Sequence, residues 1–379
     1  MINIKNISKY KVELSILIPI FLFFIISIIS IYSTRDLLSD EFGNLYIKQG
    51  IWYIIGLSLA YFMMKLGNNF FYNNAWIFYG IGVLLLLLVL FFGVNINNAT
   101  CWFKIPLIGT IQPSEFMKIF LIITLSRMIT DFNDDYKFHT QTDELKFILK
   151  VFIVVLIPSI LTFIEPDTGA VIMYLIITFV MLFIGGLRKR WFTITLIIIT
   201  IFLSLLLGIY FLNTDLFIEI FGTSFFYRMD RITNWTDSSG MQLNNSLIAI
   251  GSAGLSGHGI NNTPIYFPEM QNDFIFSVFV SNTGLLGAIT LIIIIICFDL
   301  TLINSVNKTN NLSDKYAIGG IIAVLMFSQI YNISMTIGLL PIMGITLPFI
   351  SYGGSSLLSY MILLGIIFNV SNESLRYTN

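Results

Sequence analysis

The sequence has little charge and almost no cysteine. Only 11% of its 379 residues are charged, whereas 56% are hydrophobic. A soluble protein could not cover its surface with so few charges, so this composition excludes a soluble class. The two cysteines, Cys101 and Cys297, lie far apart in the chain, which argues against a structural disulfide or a metal site. The formal net charge of -1 indicates nothing about charged partners, and no nucleic-acid partner is expected.

The N-terminal region lacks the mark of a cleavable signal peptide. Lys5, Lys9 and Lys11 precede an apolar run from Leu14 to Tyr32, as in a secretory signal. The run is too long, however, and it has no small-residue cleavage site. We therefore expect an uncleaved first membrane helix.

Apolar segments long enough to cross a bilayer recur along the whole chain. They span residues 13–33, 50–67, 74–95, 113–130, 147–164, 168–186, 191–213, 273–300, 315–338 and 354–370. Lipid offers the backbone no hydrogen-bond partners, so continuous apolar runs of this length predict helices, whereas barrel strands would alternate. The predicted fold class is an all-α integral membrane protein with about ten transmembrane helices, forming one polytopic domain over residues 1–379.

Lysine and arginine are distributed unequally between the two predicted faces. Fourteen fall on one face, namely Lys5, Lys9, Lys11, Lys65, Arg127, Lys137, Lys146, Lys150, Arg188, Lys189, Arg190, Lys308, Lys315 and Arg376. Five fall on the other, namely Arg35, Lys48, Lys104, Arg228 and Arg231. Because cytoplasmic loops carry the excess of positive residues, the count predicts that both termini are cytoplasmic. It also predicts that a long loop at about 214–272, between the seventh and eighth helices, is extracellular.

This long loop is polar in an otherwise apolar chain, which points to a functional role. Arg228 and Arg231 could grip a phosphate or pyrophosphate, or could meet lipid headgroups. Asp273 stands where the chain re-enters the membrane, and could cap the next helix or act as a base. Capping would lower the pKa of its carboxyl group, whereas the apolar residues that follow it would raise that pKa by desolvation.

Two acidic motifs flank other predicted spans. Glu115 and Lys118 share a helix face at the start of the fourth span, where they could lock neighbouring helices or form a polar floor under a substrate groove. Glu165 and Asp167 lie in a tight turn between the fifth and sixth spans. Asp167 can cap the helix that begins at Thr168, whereas Glu165 gains nothing from that role.

A broken apolar segment follows the ninth predicted span. Residues 338–356 contain Pro341, Pro348 and several glycines, which prevent a continuous helix. Irregular backbone is tolerated at membrane depth only where protein surrounds it or where it lines a cavity. We expect a re-entrant or interfacial wall here.

Five motifs, taken together, resemble the RodA, FtsW and SpoVE group of bacterial proteins, the SEDS family. They are Gln-Pro-Ser-Glu-Phe-Met-Lys at 112–118, Pro-Asp-Thr-Gly at 166–169, Ser-Leu-Ile-Ala-Ile-Gly-Ser-Ala-Gly-Leu at 246–255, Asn-Asp-Phe-Ile-Phe at 272–276 and Gly-Ile-Thr-Leu-Pro-Phe-Ile-Ser-Tyr-Gly-Gly-Ser-Ser at 344–356. The last is nearly the family's signature. The resemblance covers almost the whole chain.

The resemblance implies a peptidoglycan glycosyltransferase that polymerises lipid II at the outer face of the bacterial cytoplasmic membrane, for elongation, division or sporulation. It implies that Asp273 is the general base for the acceptor hydroxyl. Arg228, Arg231 or a divalent cation held by phosphate, such as Mg²⁺ or Mn²⁺, would neutralise the leaving pyrophosphate. The implied partner is a class B penicillin-binding protein, a transpeptidase. The expected substrate-binding residues are Glu115, Lys118, Glu165, Arg228, Arg231, Ser351, Gly353 and Ser355.

The chain also departs from the family pattern. Ser281 and Asn282 replace paired acids that usually follow the catalytic acid, and Thr100 stands for an arginine that usually precedes the tryptophan of the outer loop. These departures keep an inactive scaffold of a cell-wall synthesis complex as an alternative. A lipid II flippase is another, with Glu115 and Lys118 on its polar path. The polar motifs concentrate on one face and no inverted repeat is visible, which favours the enzyme over the transporter.

Overall fold

The computed structural model describes residues 11–38, 43–96, 99–105, 109–135, 140–235 and 240–377, without the side chains of Ser224, Arg231, Arg376 and Tyr377. In chain order its helices are α1 (Leu14–Tyr32), α2 (Leu45–Leu66), α3 (Asn68–Asn73), α4 (Ala75–Phe92), α5 (Pro113–Asp135), α6 (Gln141–Ile164), α7 (Thr168–Ile184), α8 (Lys189–Leu212), α9 (Thr214–Phe221), α10 (Thr223–Thr233), α11 (Gly240–Gly251), α12 (Ile275–Val306), α13 (Leu312–Thr336) and α14 (Gly354–Tyr377). Three short strands, β1 (Val94–Ile96), β2 (Ala99–Ile105) and β3 (Gly109–Ile111), lie between α4 and α5.

Each of the ten predicted apolar segments coincides with one helix. Within the described ranges, seven helices are long and apolar enough to cross a membrane, namely α1, α4, α6, α8, α12, α13 and α14. This finding confirms a helical, multi-pass membrane protein. Helix α5 is more polar because it is enclosed by α4, α6, α7, α13 and α14, so its polar side chains face protein rather than lipid.

Hydrogen bonds and an ion pair gather the chain ends at one end of the bundle. Lys308, in the connection between α12 and α13, pairs with Glu13 at 2.5 Å, and the Glu13 N–H donates to Ser371 of α14. At the same end, Asn68 of α3 donates to the Asp314 carboxylate of α13 at 2.8 Å. The start of α1, the end of α14 and two connections therefore share one end.

A small antiparallel sheet with the order β1-β2-β3 lies at the other end of the bundle. Phe103 pairs with Ile111 in its β2–β3 ladder, and the Cys101 thiol of β2 donates to the Glu165 carbonyl at 2.7 Å. The all-α prediction did not include this sheet. Its β-branched and aromatic residues favour strands, but three to seven residues are too short to show a clear period.

The predicted loop at 214–272 is largely helical, because it contains α9, α10 and α11. Asn213 caps α9 by accepting the Leu216 N–H at 3.0 Å. The side chains of Leu206, Tyr210, Phe217 and Met229 form a core shared by α8, α9 and α10, apart from the main core. These three helices therefore pack as a subsidiary unit beside the bundle.

Candidate active site

The broken segment between α13 and α14 is buried in protein, as expected. Its carbonyl groups accept hydrogen bonds from side chains of the first two helices. Ser27 of α1 donates to the Ile350 carbonyl at 2.7 Å, and Gln49 of α2 donates to the Ser351 carbonyl at 3.1 Å. Side chains of α1 and α2 thus supply hydrogen-bond donors to backbone carbonyls of this non-helical segment.

Asp273 packs against this segment, at the start of α12. The N-cap of α12 is Phe274, without a side-chain hydrogen bond, so Asp273 does not cap the helix. Among the described residues, its carboxylate has no hydrogen bond or ion pair. Burial and the nearby charge of Glu269 raise the pKa of Asp273 to about 7. The cap that would lower this pKa is not made, so desolvation is its main influence.

A buried amide in α13 joins Asp273 to the broken segment. Asn332 donates to the carbonyl of Asp273 at 2.8 Å and to that of Ile345 at 2.7 Å. A Cβ atom at Gly344 would lie 3.7 Å from the Asp273 carboxylate, so the absence of a side chain there leaves space beside the acid. Sequence reasoning missed Asn332, although an amide inside a membrane helix is itself a signal.

Ser351 reinforces the same junction from the other side. Its hydroxyl donates to the Asn272 carbonyl at 2.7 Å and accepts the Leu347 N–H at 2.8 Å. The neighbouring Tyr352 N–H donates to the Gln271 carbonyl at 2.9 Å. Ser351 is buried, so in this conformation it holds the backbone beside Asp273 and does not face an open groove.

Glu115 and Lys118 form a buried ion pair at the interface of α5 and α14. Lys118 Nζ lies 2.7 Å from Glu115 Oε2, which also accepts the Ser359 hydroxyl at 3.0 Å. The ammonium lies 5.4 Å from the centre of the Tyr360 ring. These contacts offset the cost of removing the two charges from water.

Asp167 is the centre of a second polar cluster next to this pair. It caps α7 as predicted, accepting the Ala170 N–H at 3.0 Å. It also accepts the Gln112 amide at 2.7 Å and the Ser114 hydroxyl at 2.8 Å. Burial raises the pKa of its carboxyl group, and the Ala170 N–H opposes that shift.

The start of α14 attaches to the same cluster. Ser355 accepts the Gln112 N–H at 3.0 Å and donates to the Thr110 carbonyl of β3 at 3.2 Å. The Gly353 carbonyl accepts the hydroxyl of Ser356 at 3.3 Å, and a Cβ at Gly353 would lie only 2.5 Å from that hydroxyl. Gly353 therefore permits the tight entry into α14.

The two polar regions lie on either side of one short stretch of the broken segment. A Cβ at Gly169, in the first turn of α7, would lie 2.9 Å from the Met343 carbonyl and 3.3 Å from Ile345. Gly344, between these two residues, faces Asp273. Residues 343–345 therefore contact the first turn of α7 on one side and Asp273 on the other.

Glu165 lies close to Asp167 and to β2, and Arg228 lies on α10. The Glu165 side chain is fully buried, and neither carboxylate oxygen has a hydrogen-bond partner among the described residues. Burial raises its pKa to about 8. Arg228 donates to the Phe163 carbonyl at 3.2 Å and stacks on the Phe163 ring, at the edge of a cleft of ≈ 470 Å³. Arg231 lies on the same helix, α10, and its side chain is outside the described part.

Ser281 and Asn282, two of the positions that depart from the family pattern, lie at a break in α12. Gly284 has φ 69° and ψ −166°, so the helix is interrupted there. The N–H groups of His258 and Gly259 donate to the carbonyls of Ser281 and Asn282 at 2.9 and 3.1 Å. The loop that precedes α12 therefore supplies the hydrogen-bond donors for the carbonyls at the break. Thr100 lies in β2, away from this loop in sequence.

A protein-held metal ion does not fit the described side chains. No three His, Cys, Asp or Glu side chains converge in the described part of the chain.

Comparison with known proteins assigns the fold and these motifs to one class of membrane protein. A family model for FtsW, RodA and SpoVE, described as cell cycle protein, matches residues 12–376. A probable peptidoglycan glycosyltransferase FtsW of Coxiella burnetii is 31% identical over 367 residues, covering 92% of this chain and 93% of the relative. A peptidoglycan glycosyltransferase MrdB of Helicobacter pylori is 33% identical over 354 residues, covering 88% and 85%.

Solved structures show the same fold. A chain from a peptidoglycan synthase complex, studied for how polymerization and crosslinking are coordinated, superimposes with a TM-score of 0.78 at 22% identity, covering 96% of this chain and 98% of that chain. The rod shape determining protein RodA of Thermus thermophilus has a TM-score of 0.67 at 23% identity, with 96% and 97% covered. The chain belongs to the FtsW, RodA and SpoVE family.

Proposed function

We propose that this chain is a peptidoglycan glycosyltransferase that polymerises lipid II at the outer face of the bacterial cytoplasmic membrane. The observation that carries the proposal is the Asp273 carboxylate, which has no partner among the described residues and is fixed beside Gly344. Its pKa of about 7 suits a general base at neutral pH. The curated relatives carry the same activity in their names.

In the proposed reaction, Asp273 accepts the proton of an acceptor sugar hydroxyl. The hydroxyl oxygen forms a bond to the donor's anomeric carbon, and the bond from that carbon to the lipid pyrophosphate breaks with inversion. Arg228 and Arg231 are the proposed cations for the leaving pyrophosphate. Glu115, Lys118, Glu165, Ser351, Gly353 and Ser355 are the proposed substrate-binding residues. Of these, Glu115 and Lys118 are supported by their place beside the Asp167 cluster.

We also propose ten membrane crossings within a single domain, with both termini in the cytoplasm. The contacts of Glu13 with Lys308 and Ser371 support an even number of crossings. The excess of Lys and Arg at that end supports placing it in the cytoplasm.

Labelling with thiol reagents tests this orientation. Impermeant thiol reagents applied to intact cells should modify Ser256→Cys and spare Asn310→Cys, in a background without Cys101 and Cys297. The reverse pattern would overturn this orientation.

The deciding experiment is polymerisation of labelled lipid II by the purified protein with its transpeptidase. We propose a class B penicillin-binding protein as that partner, by analogy with the solved synthase complex. Glycan polymer should form, and Asp273→Asn should abolish it while the protein still binds its partner. Absence of polymer from the wild-type complex would favour a scaffold. Transfer of lipid II across vesicles by the protein alone would favour a flippase.

A further inference from the structure

The end of the bundle opposite Asp273 has a charged cleft that the proposed reaction does not use. It has a volume of ≈ 460 Å³ and lies where α5 ends and where α4 and α6 begin. Phe132 and Phe147 form its floor, stacked with ring centres 4.2 Å apart. Lys146 and Lys150 lie one turn apart on α6 and line the same wall.

The ionic groups of this cleft are not all available to a ligand. Asp131 is paired with Arg127 at 2.9 Å, and Asp143 takes part in the capping box of α6. Lys146, Lys150 and Asp135, by contrast, form no ion pair among the described residues. Two ammonium groups and one carboxylate therefore remain among the described residues that line the cleft. This set matches a ligand with one phosphate and one primary ammonium group.

The mouth of the cleft indicates that the ligand is amphipathic. Trp76 lines the cleft and is 54% exposed, and Leu149 lines it and is 53% exposed. Both stand on helices that are apolar enough to cross a membrane: Trp76 lies in the first turn of α4, and Leu149 lies just beyond the second turn of α6. Tryptophan at this level is typical of the membrane–water interface. Charge inside the cleft and apolar surface at its mouth fit a phospholipid whose chains remain in the bilayer.

We propose that this cleft binds the headgroup of a phosphatidylethanolamine-type phospholipid. Lys146 and Lys150 hold the phosphate, and Asp135 accepts hydrogen bonds from the primary ammonium. A choline headgroup has no N–H to donate, and a glycerol headgroup has no cation for Asp135. The site therefore prefers ethanolamine over both. The inference is independent of the proposed glycosyl transfer.

Native mass spectrometry of the delipidated full-length protein tests this preference. Added phosphatidylethanolamine should bind more tightly than phosphatidylcholine or phosphatidylglycerol, and soluble phosphoethanolamine should not compete at equal concentration. Lys146→Gln with Lys150→Gln should weaken ethanolamine-lipid binding by about tenfold. Asp135→Asn should reduce binding of the ethanolamine lipid and spare that of the glycerol lipid. The matched control is Lys65→Gln with Lys189→Gln, two exposed cations outside the cleft, which should leave binding unchanged.

Three results would overturn the proposal: equal binding of the three lipids, equal loss in the cleft and control variants, or full competition by phosphoethanolamine. Photolabelling of the wild-type protein is a second test, which does not depend on the folding of any variant. A photoactivatable phosphatidylethanolamine should label peptides containing residues 127–135 and 146–150. Labelling confined to other peptides would also overturn it.

Discussion

The side-chain amide of Asn332 joins Asp273 to Ile345. It donates to both backbone carbonyls, at 2.8 and 2.7 Å, from a fully buried position in α13. Two parts of the chain that are far apart in sequence therefore meet at a fixed distance. Together with the Ser351 hydroxyl, this side chain sets the relative position of the acid and the wall beside it, so Asn332 is a positioning residue of the proposed site.

Replacement of Asn332 by leucine, which has a similar shape and no donor, tests this role. We expect kcat for lipid II polymerisation to fall by about 100-fold, because a small displacement of a catalytic group is costly, while KM stays near the wild-type value. Asn68→Leu is the matched control, since Asn68 is also buried and donates to Asp314 and to the Ile366 carbonyl. An equal fall of kcat in both variants would contradict a specific positioning role.

The pKa of Asp273 predicts the pH dependence of the reaction. A base must be ionised, so the rate should rise with pH, with a midpoint of about 7. The charge of Glu269 contributes to the raised pKa, so Glu269→Gln should move the rising limb to lower pH. Glu219→Gln, which removes an exposed acid of α9, should not move it. A rising limb that is unchanged in Glu269→Gln would count against Asp273 as the titrating base.

The Glu115–Lys118 pair can be separated into structural and substrate-binding roles. Lys118→Met should destabilise the protein by about 3–5 kcal/mol, because it leaves the Glu115 carboxylate buried without its cation. Adding Glu115→Gln should recover most of the thermal midpoint. If the pair contacts substrate, polymerisation stays low in the double variant. Wild-type polymerisation by a stable double variant would leave the pair as a helix lock alone.

The break in α12 predicts that alanine at Gly284 lowers stability much more than alanine at Gly251. A Cβ at Gly284 would lie 2.4 Å from backbone atoms of Leu255 and Gly257, and its φ of 69° disfavours a side chain. Gly284→Ala should therefore destabilise the protein by about 3 kcal/mol or more, since clash and backbone strain add. Apart from its chain neighbours and the backbone of its own helix, no described atom lies within 4 Å of a methyl group at Gly251, so Gly251→Ala should be neutral. Equal thermal midpoints for the two variants would contradict the clamped break.

The helices could be predicted from the sequence because each apolar run is long enough to cross a membrane. The predicted start of a helix is wrong where a polar first turn precedes the apolar run. Helix α6 begins at Gln141, six residues before the predicted start at 147, because Thr140 and Asp143 form a capping box. The sheet at 94–111 was missed because its strands are short.

The candidate site was predictable only in part. Asp273 was identified by its motif, and Asp167 by its position before a helix. Asn332 was not, because its partners are carbonyls 59 and 13 residues away, and no local pattern reports such contacts. The helix break at Gly284 was hidden for a similar reason, since the loop that satisfies its carbonyls precedes it by more than twenty residues.

The buried carboxyl group of Glu165 predicts how stability changes with pH. Its pKa is about 8 in the folded chain, against 4.5 for the ordinary group. Between these values the folded chain keeps a proton that the unfolded chain has released, so stability falls as pH rises from 4.5 to 8 and then levels off. Glu165→Gln removes this loss.

The thermal midpoint of Glu165→Gln should therefore match that of the wild type near pH 4.5 and exceed it increasingly up to about pH 8. Glu219→Gln supplies the matched control, because that side chain is exposed in α9 and no buried charge is removed. A gap that is constant over the whole pH range would mean that the substitution acts through packing. A gap that grows as the pH falls would show that the Glu165 carboxylate is stabilised in the folded chain, because a depressed pKa has the opposite linkage.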